Sequence, residues 1–89
     1  MARIGVCEDD PQVRGLLAEV LGGDGHELVL AQRGGEALRL FPGDDRLRAV
    51  VLDIGLPDAD GRDICQALRA AGMTVPVLFL TARGGVHEV

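Results

Sequence analysis

Three short groups of side chains in this sequence have the right types to do chemistry. Glu8-Asp9-Asp10 follows a first apolar run, Asp53 ends the run Ala49-Val50-Val51-Leu52, and Thr81 ends the run Val75 to Leu80. Carboxylates from Glu8, Asp9 and Asp53 brought together would repel one another and raise each other's pKa unless something positive sat among them. No basic residue adjoins these acids in sequence, so a metal ion is the natural counter-charge. Hard oxygen ligands with room for water suit Mg2+, which takes one or two protein carboxylates and fills its other places with water or phosphate oxygens. Asp53 could then act as a nucleophile toward a phosphoryl group, the metal neutralising charge on the equatorial oxygens. The Thr81 hydroxyl could donate to one of those oxygens.

Whether these groups meet depends on the elements that carry them. Ala2 to Cys7 reads as a strand. Val13, Leu16, Leu17, Val20 and Leu21 then repeat at helical spacing and predict a helix with one buried stripe. Asp10 is placed to cap that helix, Pro11 to occupy its first position and Gly22-Gly23 to end it. Glu27 to Ala31 is a second strand. Gly34 to Phe41 is a short helix with Ala37, Leu38 and Phe41 inward, and Asp44 to Arg48 is a solvated charged connector. Ala49 to Leu52, a short unbroken apolar run that exits through Gly55 and Pro57, reads as a strand covered on both faces. Ile64, Ala67, Leu68 and Ala71 mark another helix ending at Gly72, and Val75 to Leu80 is a fourth strand. The order β-α-β-α-β-α-β predicts an α/β fold: a parallel sheet with right-handed crossovers and helices on both faces. The carboxyl ends of all such strands lie on one edge, where ligands collect. Topology alone therefore gathers Glu8, Asp9, Asp53 and Thr81.

Composition sets the outer bounds. The 89 residues make one domain, 47% hydrophobic, whose only aromatics are Phe41 and Phe79, so the core is aliphatic. A formal charge of −5 argues against a free-standing nucleic-acid binder, which needs a basic face. Cys7 and Cys65 lack metal-type spacing and read as buried thiols. His26 and His87 have no partners at ligand spacing and read as surface residues, as does Arg14 on the first helix. Met1 to Cys7 is too short for a secretory apolar segment, and no stretch approaches the ~20 apolar residues of a membrane span. A cytoplasmic setting is expected.

The residues Glu8-Asp9, Asp53, Pro57, Asp60-Gly61 and Thr81-Ala82 carry a resemblance that covers the whole chain. It resembles the receiver domain of bacterial two-component response regulators, which implies a flavodoxin-like fold. The resemblance implies that Glu8 and Asp9 bind Mg2+ and that Asp53 accepts a phosphoryl group from a phosphohistidine on a sensor histidine kinase. It further implies that Gly55 gives its backbone carbonyl to the metal and that the Thr81 hydroxyl reports the phosphoryl group's arrival. Such a chain is a self-phosphorylating signalling domain rather than an enzyme. The tail Leu80-Thr81-Ala82-Arg83-Gly84 is most similar to transcription-regulating members, so a C-terminal DNA-binding domain is expected in the parent protein, with no nucleic-acid contact from residues 1–89 themselves.

One departure stands out. A complete receiver continues into a fourth helix, a fifth strand that begins after a lysine, and a fifth helix. All nine basic residues here are arginine, so no lysine can pair with the phosphoryl group. The resemblance is thus to the N-terminal portion, about four strands and three helices. Three expectations follow. Val75 to Leu80 would be an exposed apolar edge, inviting a homodimer or swapped assembly. Mg2+ binding would survive better than phosphorylation. The alternative to a working phosphoacceptor is a phosphorylation-impaired fragment that acts only as an assembly or interaction module. A metal-dependent phosphatase with an aspartyl nucleophile is disfavoured, because it needs a second acid where Gly55 stands.

Overall fold

The computed structural model describes residues 1–80 and the backbone of residues 86–88. Strands β1 (Arg3–Cys7), β2 (Glu27–Ala31), β3 (Leu47–Asp53) and β4 (Val77–Leu80) run parallel, and a short β5 (Val86–Glu88) runs antiparallel to β4. Helices α1 (Pro11–Gly23), α2 (Gly34–Leu40) and α3 (Gly61–Ala70) fill the three crossovers. The sheet order is β2-β1-β3-β4-β5. Because β2 and β3 flank β1 on opposite sides, right-handed crossovers put α1 on one face of the sheet and α2 and α3 on the other. The chain reverses its progress across the sheet between β1 and β3, and such a switch point opens a crevice at the strands' carboxyl ends.

The main core lies on the side of α2 and α3. Alternate strand positions Cys7, Ala31, Val50, Leu52, Val77 and Phe79 meet Ala37, Phe41, Ile64, Cys65 and Leu68. Both cysteines are free and buried, as their spacing indicated. Leu38, expected inward, is 37% exposed: Ala37 and Phe41 form one i, i+4 ridge of a seven-residue helix, and Leu38 lies a hundred or so degrees around from it.

The α1 stripe is the larger correction. No residue of this helix is buried, and Val13, Leu16 and Val20 are 36%, 60% and 55% exposed. Leu17 and Leu21 are half-buried. Spacing indicated an apolar face of five residues, but α1 is the sole described helix on its side of the sheet, so the outer part of that face has no neighbour to cover it.

The sheet's far edge also differs from expectation. β4 is not an exposed edge, because β5 pairs along it through Leu78↔Glu88, Phe79↔His87 and Leu80↔Val86. The chain's own tail satisfies the outer row of backbone groups that a second copy was expected to meet, and an assembly swapped through β4 loses its open edge. At the other end, β3 starts at Leu47, within the segment expected to be a solvated connector. Leu47 is buried, and Asp44 accepts a 2.7 Å hydrogen bond from Arg3 Nε, while Arg3 also pairs with Glu27.

Candidate functional site

Strand register builds the site. Cys7 pairs with Leu52, so Glu8 and Asp53 are the next residues off two adjacent parallel strands, which lie ~4.8 Å apart. The Glu8 amide still donates to Ala31 O at 3.0 Å, and the Ile54 amide to Leu80 O at 3.1 Å, so both ladders run just past the acids. One carboxylate oxygen from each of Glu8, Asp9 and Asp53 lies within 4.8 Å of the other two. Asp10, the third member of the acidic triplet, is used otherwise: its Oδ1 accepts from the Gln12 amide at 2.8 Å and caps α1, while its own amide donates to Glu8 Oε2 at 3.0 Å. Thr81 lies outside the described residues; it follows Leu80, whose register partner is Asp53.

Burial and mutual repulsion set the electrostatics of the cluster. Glu8 is 4% exposed, and its carboxyl is pushed up to about 7, first by burial and then by the neighbouring Asp53 carboxylate, against the lowering effect of the Asp10 amide. Three convergent oxygens, one of them costly to ionise alone, suit a hard divalent cation that keeps part of its water. Beside them, the Cys7 thiol is pushed up to about 12 by burial, an inert buried group.

Arg14 does not lie on a solvated face. Its Nη1 donates to Glu8 O at 2.9 Å and to Asp9 O at 3.3 Å. A guanidinium therefore grips the main chain of both acids from the first turn of α1. Sequence reasoning missed it because its partners are backbone carbonyls, which carry no sequence signal; its offsets of six and five residues from Glu8 and Asp9, across the start of a helix, were the available hint.

The loop from Asp53 to α3 is tied at several points. Asp53 Oδ1 accepts from the Gly55 amide at 3.1 Å, Gly55 forms an isolated antiparallel bridge with Asp60, and the Gly61 amide donates to Ile54 O at 2.8 Å. Asp60 caps α3 by accepting from the Arg62 amide at 2.8 Å, and the Arg62 guanidinium holds its carboxyl down at about 2. Gly61 is required by contact: a Cβ there would lie 2.2 Å from Asp53 O and 2.8 Å from Ile54 Cα. Asp58 accepts from the Gly34 and Gly35 amides at 2.8 and 3.0 Å, which holds its carboxyl below the usual range. It supplies the N-terminal cap that Arg33, at the cap position of α2, does not. A cap delivered from 24 residues downstream leaves no local pattern to read.

Comparison with known proteins identifies the family and the fold. A family model described as the response regulator receiver domain matches residues 4–89. The response regulator MprA of Mycolicibacterium vanbaalenii is 46% identical over 86 residues, which make up 97% of this chain and 37% of that protein. The chain therefore spans little more than a third of the length of such curated relatives. Among solved structures, the response regulator TrrA of Thermotoga maritima in complex with Mg(2+)-BeF is 35% identical with a TM-score of 0.84, the match covering 92% of this chain and 70% of that one. The complex of the histidine kinase ThkA with TrrA matches at 34% identity and a TM-score of 0.84, covering 96% of this chain and 72% of that one. The four parallel strands and three helices are the flavodoxin-like fold of these neighbours, and the chain belongs to the response regulator receiver domain family.

Proposed function

We propose that this chain is the phosphoacceptor of a two-component pathway, with Asp53 as the residue modified. The observation that carries the reading is the convergence of Glu8, Asp9 and Asp53 at the carboxyl edge of the sheet, made by register rather than by sequence proximity. An Asp53 carboxylate oxygen attacks the phosphorus of a phosphohistidine on a sensor histidine kinase. The P–N bond breaks as the P–O bond forms, and the imidazole leaves. When bound, Mg2+ would supply charge neutralisation at the transferring oxygens. Glu8, Asp9 and Asp53 would hold the ion with their carboxylates and Gly55 with its backbone carbonyl, and Thr81 would donate its hydroxyl to the phosphoryl group once it has arrived. The TrrA complexes with Mg(2+)-BeF and with the kinase ThkA support the cofactor and the partner.

On this reading the chain is a signalling domain that promotes its own phosphorylation, not an enzyme acting on a separate substrate. It works in the cytoplasm, as part of a transcriptional regulator whose DNA contacts are made by another domain. No described helix is long and apolar enough to cross a membrane.

The test is mass spectrometry after incubation with acetyl phosphate, with and without Mg2+. We expect one added phosphoryl group in the Mg2+ sample, lost in Asp53→Asn. Equal labelling of Asp53→Asn, or labelling indifferent to Mg2+, would refute the assignment.

A further inference from the structure

Of the three acids at the sheet edge, two are fixed by strand ladders and one is not. Glu8 is held by the hydrogen bond its backbone N–H donates to Ala31 O, and Asp53 closes β3 with Leu80 as its partner. Asp9 is exposed and stands one residue beyond the β1 ladder, where the chain has already turned toward α1. What reaches back to it is Arg14, through the carbonyls of Glu8 and Asp9 together. The Arg14 amide donates to Asp10 O at 2.9 Å, so the guanidinium projects from the first turn of a helix that Asp10 caps. Its reach and direction are set by that turn.

We infer that Arg14 is a positioning residue for the cation site: it holds the Glu8-Asp9 main chain so that both carboxylates face the ion. This rests on the proposed metal-binding reading. Two opposed effects make the inference sharp. A guanidinium near an acidic cluster repels an incoming divalent cation, so charge alone predicts that its removal tightens Mg2+ binding. Holding the ligands in place predicts the reverse, since groups that orient metal ligands typically contribute 10–100-fold to affinity. Arg14 spends its hydrogen bonds on the ligands' backbone, and positioning wins.

Three proteins test this: Arg14→Ala, Arg14→Lys and Arg69→Ala. Arg69 is the matched control, because its Nη1 likewise donates to two carbonyls, Met73 O at 3.2 Å and Val75 O at 2.6 Å, past the other end of α3. Mg2+ affinity is measured by calorimetry, and amide exchange of Asp10, whose N–H bonds Glu8 Oε2, is followed in metal-free protein. In Arg14→Ala we expect Mg2+ affinity to fall about tenfold and the Asp10 amide to exchange about tenfold faster, as loss of a charge-assisted hydrogen bond gives. Arg14→Lys keeps the charge without the planar fork and recovers only part of either loss. Arg69→Ala keeps wild-type Mg2+ affinity. Unchanged or tighter Mg2+ binding by Arg14→Ala overturns the inference, as does an equal loss in Arg69→Ala. Wild-type protein that binds no Mg2+ removes the metal reading itself, and is recognised by that measurement before any variant is compared.

Discussion

Gly61→Ala perturbs the site without touching any acid. The added Cβ would sit 2.2 Å from Asp53 O, 2.9 Å from Asp53 C and 2.8 Å from Ile54 Cα, all backbone atoms that no rotamer change can move aside. Ordinary contact begins near 3.4 Å, so α3 and the end of β3 must separate by about 1.2 Å, the difference between 3.4 and 2.2. Overpacking of this kind costs about 1–3 kcal/mol. The separation also breaks the 2.8 Å hydrogen bond from Gly61 N to Ile54 O, which adds about 0.5–1.5 kcal/mol. The sum, roughly 2–4 kcal/mol, is a large share of the ~5–15 kcal/mol available to a small domain. At ~4–8 °C per kcal/mol the midpoint should fall by about 10–30 °C. Thermal unfolding followed by circular dichroism reads the midpoint, and Mg2+ titration reads the displacement of Asp53. Gly15→Ala in α1 is the control: a Cβ there meets nothing within 4 Å, and the exposed helix gains about 0.5–1 kcal/mol. A Gly61→Ala protein with wild-type midpoint and wild-type Mg2+ affinity would refute the close-approach reasoning.

Three further predictions separate the roles of neighbouring acids. Asp10→Ala removes the α1 cap and should lower stability by about 1 kcal/mol, read by urea unfolding; because the capped turn carries Arg14, Mg2+ affinity should fall, but by less than in Arg14→Ala, and a larger fall would make Asp10 a ligand. In metal-free protein the raised Glu8 group, at about 7 against an ordinary 4.5, keeps a proton in the folded state that the unfolded chain has already released. Stability should therefore decline as pH rises from about 4.5 to about 7, and Glu8→Gln should abolish that decline. Mg2+ needs the carboxylate, so its affinity should weaken as pH drops below about 7; calorimetric affinity that stays flat across this window would contradict it.

How much of this was legible in the sequence depends on whether the determining contact is local. Apolar runs leading into Glu8-Asp9 and Asp53, and closing at Leu80, marked the strand ends, and alternation of strands and helices marked the parallel sheet, because crossover handedness leaves little choice of topology. Asp10 as a cap was legible from its position before Pro11. Arg14 was misread, since a helix pattern reports which face a side chain is on but not that a main-chain turn lies within its reach. Asp58 was invisible for a related reason: it caps a helix from another part of the chain, and α2 shows only a missing local cap at Arg33. The exposure of Leu16 and Val20 was unreadable because spacing defines an apolar stripe without naming the element that covers it. β5, three residues long, is below the length at which alternation carries information.

The sheet positions its acids with unequal rigidity, and this follows from where each stands relative to the ladder. Asp53 ends β3, which lies between β1 and β4, and its backbone is backed by Gly61 of α3. Glu8 leaves a strand held on both sides by β2 and β3. Asp9 stands outside that frame and takes its place from α1 by way of Arg14. α1 is also the least buried helix, with three of its apolar side chains open to solvent. The cluster thus joins two acids fixed by the sheet to a third whose main chain is gripped from a helix that the sheet holds on one side alone. A change in how α1 sits on β2 would act through Arg14 on the Glu8 and Asp9 carbonyls together, while Asp53, which Arg14 does not touch, would stay in register with Leu80.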